Sequence, residues 1–121
     1  MTGYQLLNAA PILQKIIEFE LPVKKAYQIY TLIKAIEDKR EFFMSEERKL
    51  IAKFNAEITE NGDIKFNSME DHSGFSIAHS GLLSYEIEDV NSIELNFDSL
   101  KGANLSPRDI MQLENVIIFI D

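Results

Sequence analysis

Along residues 5–18, QLLNAAPILQKIIE, the apolar positions Leu6, Leu7, Ala10, Leu13, Ile16 and Ile17 fall near helical spacing. Pro11 either kinks such a helix or opens it at its first turn, and the second reading predicts a helix starting near Pro11. Leu21-Pro22 then interrupts the pattern, because proline lacks an amide donor and biases the residue before it away from helical geometry. From Pro22 to about Phe54 there is no glycine or further proline, and Val23, Ala26, Tyr30, Ile33, Ile36, Phe43, Leu50 and Phe54 lie close to one stripe. The spacing predicts one long helix. The alternative is an antiparallel pair, broken at Met44-Ser45-Glu46-Glu47 with Ser45 capping the second member.

Past Phe54 the period becomes two. AEITENGDIKF carries Asn61-Gly62, and a two-residue loop there would put Ile58 and Ile64 on opposite sheet faces. A three-residue loop, Glu60-Asn61-Gly62 with Gly62 left-handed, pairs Ile58 with Ile64 and Ala56 with Phe66, and the hydrophobic match selects it. Residues 67–82 read as an irregular polar connection. Leu83, Tyr85 and Ile87 alternate on one face, as do Ile93, Leu95 and Phe97, which predicts a second antiparallel hairpin joined by Glu88 to Ser92. Near the end, Ser106 as N-cap, Pro107 at the first helical position and Asp109 three residues after the cap start a helix over 106–117. The run Val116 to Ile120 is either the buried end of that helix or a strand of the sheet.

These elements make one α+β domain spanning 1–121: residues 1–55 mainly helical, 56–98 antiparallel hairpins around the 67–82 connection, and the capped helix. A helical N-terminal half packs on a small antiparallel sheet. At 121 residues, 45% hydrophobic and 26% charged, the chain has enough apolar side chain for a core and does not resemble a disordered protein.

Charge sharpens the division. Residues 1–54 hold nine Lys or Arg against seven acids, and 55–121 hold three against thirteen, which together give the net charge of -8. So acidic a second half repels phosphate backbones and argues against nucleic acid as a partner. No cysteine offers a disulfide, thiolate ligand or nucleophile. The N-terminus lacks a basic leader and no apolar run is long enough for a membrane span, so an intracellular soluble product without membrane contact is expected.

Both histidines lie in DHSGFSIAHSG, Asp71 to Gly81. A nucleophile elbow at Ser76 needs a strand-to-helix turn, a later acid and a later histidine, yet alanine replaces the last glycine of the motif and no histidine follows Gly81. His72 and His79 with Glu70 and Asp71 are competent ligand types at no recognisable ligand spacing, and TENGDIKFNSME lacks the alternating ligands of a calcium loop. Adjacent carboxylates at Glu46-Glu47, Glu70-Asp71 and Glu88-Asp89 read as a solvated face, and there is no phosphate-binding glycine loop. No catalytic, metal or cofactor residue is assigned. Tyr27, Tyr30, Phe42 and Phe43, beside Lys24, Lys25, Lys34 and Arg40, read as core with solvated lysines rather than a nucleic-acid stacking surface. The candidate contact residues are Tyr27, Tyr30, Phe43, His72, Ser76 and His79.

Leu21-Pro22-Val23-Lys24 with Ala26-Tyr27, and Leu105-Ser106-Pro107 with Asp109 and Leu113-Glu114, carry a resemblance that extends over residues 13–66 and 92–117. The chain is similar to a family of small acidic proteins of unknown function encoded by tailed bacteriophages and prophages. It departs from that pattern between Asn67 and Asn91, where such proteins carry an acidic helical stretch. The resemblance implies a viral gene expressed in bacterial host cytoplasm that serves virion or tail assembly or interferes with a host system. The expectation is a noncatalytic interaction protein or assembly accessory factor, with a phage or host protein or a second copy as its partner. Two alternatives are an antagonist of host defence that binds or sequesters through Asp71 to Gly81, and a small metal-dependent hydrolase.

Overall fold

A capping box opens the chain. Thr2 Oγ1 accepts from the Gln5 N–H at 3.2 Å while Gln5 Oε1 accepts from the Thr2 N–H at 2.9 Å, which satisfies two amides at the start of a helix. In this computed structural model, which describes residues 1–121, α1 therefore runs Gly3–Leu13 with Pro11 inside its last turn. The expected start near Pro11 is wrong. A proline so close to the end removes only one helical bond, and the chain continues in turns, Lys15 N–H to Ile12 C=O at 3.0 Å and Ile16 N–H to Leu13 C=O at 3.1 Å.

Helix α2, Val23–Lys53, is one unbroken helix of 31 residues that begins after Pro22. Met44 to Glu47 stays helical, and the Glu46–Lys49 pair at 2.9 Å spans the site of the alternative break. Its buried positions are Ile29, Leu32, Ile36, Phe43 and Ile51, so the core stripe is rotated from the expected one. Val23 and Tyr30 face solvent instead, because aliphatic and aromatic residues offer two competing stripes in its first turns.

The hairpin has the expected register. β1 (Glu57–Ile58) and β2 (Ile64–Lys65) pair antiparallel with Ile58 opposite Ile64, and Gly62 takes φ +83° in the three-residue loop. The connection expected over 67–82 is instead helix α3, Met69–Leu83. Ser68 Oγ accepts from the Asp71 N–H at 3.1 Å, and Glu70 and Asp71 sit in the first turn against the positive end of the peptide dipoles.

The second expected hairpin does not form. Tyr85 to Ile87 runs beside the N-terminus, with Gly3 N–H donating to Tyr85 C=O at 3.1 Å and Ile87 N–H to Met1 C=O at 2.7 Å. β3, Ile93–Asn96, pairs in parallel with β4, Ile117–Ile120, so Val116 to Ile120 takes the strand alternative. Parallel strands need a crossover, and α4 supplies it. This helix is Pro107–Leu113, shorter than 106–117, and carries the expected Ser106–Asp109 capping box. The fold is α+β, with one antiparallel and one parallel two-stranded sheet. No helix is long and apolar enough to cross a membrane.

The main core joins Leu6 and Leu13 of α1, Leu32 and Ile36 of α2, Leu95 of β3 and Ile117 of β4, with Leu113 and Val116 closing it. Asp109 is buried at its edge, where Lys15 Nζ donates to Oδ2 at 2.8 Å and ties α4 to the turns that follow α1. That hydrogen bond, with the Ser106 amide second, holds the carboxyl below its ordinary value.

Candidate functional site

The histidine-serine-glycine segment is a packing element. His72 stacks on Phe66 at 4.8 Å, Phe66 meets Phe75 at 5.2 Å, and His79 stacks on Phe75 at 5.0 Å, so α3 and the hairpin share one ladder of rings. His79 Nε2 lies 2.8 Å from Glu47 Oε2, which extends the ladder to α2. Gly74 admits Phe54 to the helix surface, since a Cβ there would stand 2.4 Å from Phe54 Cε1.

Ser76 and His79 line a shallow depression of about 500 Å³ with Thr2, Tyr4 and Ser80, but His72 is not part of it. No hydrogen bond joins Ser76 to His79, and the strand-to-helix turn of a nucleophile elbow is not built around Ser76. Ser76 lies within α3, where helical bonding engages the neighbouring amides that an oxyanion hole would require. His72, His79, Glu70 and Asp71 do not converge: no group of three or more His, Cys, Asp or Glu is placed to hold a metal ion.

The aromatic candidates of α2 separate sharply. Phe43 is 2% exposed and covers Gly3, where a Cβ would come within 2.5 Å of its ring. It is core. Tyr27 and Tyr30 are 68% and 58% exposed, with ring centroids 6.1 Å apart. With Val23 they form a solvent-facing stripe at i, i+4 and i+7 on the first turns of α2. Lys24 and Lys34 flank it without ion-pair partners, while Lys25 donates to the Glu94 carbonyl at 2.7 Å.

A second surface was not foreseen in the sequence. The middle of α2 and the segment leaving α3 enclose an open cleft of about 920 Å³. Phe43 and Ile87 are buried at its base, and Phe42, Leu82 and Tyr85 line its apolar part. Asp38, Glu86, Glu88 and Asp89 surround these apolar groups. Lys39, the one cation in the lining, donates to Asp89 at 2.7 Å, and chiefly by that bond holds the Asp89 carboxyl below its usual range. The sequence does contain a signal for this place, the acidic run Glu86-Ile87-Glu88-Asp89 beside Tyr85, but its alternation reads as a strand. The chain matches no protein-family model, no curated protein and no solved structure.

Proposed function

We propose that this chain is a noncatalytic interaction protein, and that it presents Val23, Tyr27 and Tyr30 on α2 to a groove in a phage virion or tail protein. The exposed tyrosine pair carries the reading. A helix that docks in a groove offers anchors at i, i+4 and i+7, and tyrosine supplies large contact area at small entropic cost. Two such rings held side by side on an ordered helix are pre-organised for that role. Unpaired Lys24 beside the stripe and Lys34 one turn past Tyr30 favour acidic groups around the partner's groove. The stripe begins within Leu21 to Tyr27, part of the stretch that resembles small acidic tailed-phage proteins of unknown function, which is in keeping with a partner met during infection. The host-defence reading has less support, because the imidazoles of Asp71 to Gly81 each have a ring face occupied by phenylalanine.

The test is recovery of the tagged chain from phage-infected bacteria, followed by mass spectrometry of bound proteins. A virion or tail protein in stoichiometric amount is expected. A host enzyme or a bound nucleotide in its place would establish the antagonist reading, and recovery of the chain alone would contradict both.

A further inference from the structure

The cleft between α2 and the segment 81–89 is separate from the tyrosine stripe, and three independent features distinguish it from ordinary surface. The first is charge. Asp38 and Glu88 have no ion-pair partner, Asp89 is held by Lys39, and Glu86 lies 3.7 Å from the terminal amine. The negative charge of the cleft is therefore only partly neutralised from within the chain.

The second feature is aromatic surface. Phe42 and Tyr85 are 52% and 64% exposed and line the same cleft as the carboxylates. Cations bind over such ring faces and apolar side chains pack against them. The third is Gly81. Glycine is a poor helix former, yet Gly81 occupies the last turns of α3. Gly74 in the same helix is explained by Phe54, whereas a Cβ at Gly81 would meet nothing within 4 Å. Internal packing gives no reason for glycine at this position, which lines the cleft.

We propose that this cleft docks a basic segment of another protein, one in which Lys or Arg side chains flank a large apolar residue. The apolar residue would rest on Phe42 and Tyr85, and the cations would meet Asp38 and Glu88. A single metal ion does not suit the site, because the carboxylates do not converge as a ligand set. Spread along a segment, separate cations match their distribution. A second copy of the chain is disfavoured by the net charge of -8 on each molecule. The inference rests on the interaction reading above and adds a second contact surface with its own partner chemistry.

The full-length chain, labelled with nitrogen-15, is titrated with the peptide acetyl-Lys-Lys-Leu-Phe-Lys-Lys-amide and with its Glu-for-Lys counterpart as control. Amide shifts are expected over residues 38–43 and 81–89 with the basic peptide alone. Asp38→Lys with Glu88→Lys should weaken binding by at least about tenfold, while the equal charge change Glu57→Lys with Glu60→Lys on the hairpin leaves it within about twofold. Gly81→Leu should weaken binding without lowering the melting temperature, since leucine favours the helix and its side chain enters the cleft. Three results overturn the proposal: no shifts, shifts spread over the acidic surface with equal loss in both charge-reversed pairs, or cleft shifts that instead track self-association in sedimentation. A partner from infected cells still retained by Asp38→Lys with Glu88→Lys leaves the interaction reading intact and removes the cleft from it.

Discussion

Two regions of this molecule are held together differently. One is the largely aliphatic core between α1, α2 as far as Phe43, the parallel sheet and α4, where Leu6, Leu13, Leu95, Leu113 and Val116 are all at most 1% exposed. The other comprises the end of α2, the hairpin and α3, where Ile51 and Phe75 are buried apart from that cluster and stacked rings do much of the joining. The region richest in reactive side chains is thus the thinly packed one, and its imidazoles serve as rings in the stack. The tyrosine stripe stands on the aliphatic region, which fixes the start of α2, whereas the cleft joins the two regions, with α2 as one wall and the end of α3 and the segment after it as the other.

The difference predicts unequal sensitivity. Leu95→Ala should destabilise by about 2–5 kcal/mol, because the residue is wholly enclosed and its neighbours relax only partly around a cavity. Phe75→Ala should remove less than Leu95→Ala although more atoms are lost, at or below the low end of the about 3–5 kcal/mol usual for such truncations, since a site beside half-exposed Phe66 and His79 can collapse or admit water. Chemical denaturation of both variants measures the order, and a larger loss for Phe75→Ala would erase the distinction between the regions.

Gly62→Val probes the hairpin of the thin region alone. A Cβ there meets no atom within 4 Å, so the cost is backbone strain at φ +83°, about 1–2 kcal/mol. Native-state hydrogen exchange should show faster exchange in the hairpin with little change in β3 and β4. An equal loss of protection in both would mean that the molecule opens as one unit.

The smallest expected effect concerns acid. Lys15 and the Ser106 amide lower the Asp109 pKa from the reference value of 3.8. Its ionised form therefore stabilises the fold, a contribution fully present above the unfolded pKa and lost as pH falls through the lower folded one. The melting-temperature gap between the native chain and Asp109→Asn should be constant above about pH 5 and close below about pH 3.8. A gap that persists at low pH would assign the effect of the substitution to packing.

What the sequence disclosed and what it hid follow a physical line. Ser106-Pro107 with Asp109, and Glu60 to Gly62, act on backbone groups a few residues away, so their caps and register could be derived without the rest of the chain. The partner of Ile93 to Asn96 is non-local, with α4 intervening before Ile117, and alternation alone offered Leu83 to Ile87 as a nearer strand. Small residues hid α3, because Ser73, Gly74, Ser76, Ser80 and Gly81 weaken its apolar signal and Phe54 makes one glycine useful. Helical spacing found stripes on α2 but could not show which one the fold covers. The cleft was illegible for the same reason as the parallel sheet, since residues 38–43 and 81–89 meet only when α3 has folded back along α2.

The most direct measurement compares the two regions as binding surfaces. Retention of the proposed partner is quantified for the native chain, for Tyr27→Ala with Tyr30→Ala, and for His72→Ala with His79→Ala, each confirmed folded by its far-ultraviolet spectrum. The account predicts that removing the tyrosines abolishes retention and removing the histidines preserves it. Retention lost with the histidines and kept without the tyrosines would contradict it.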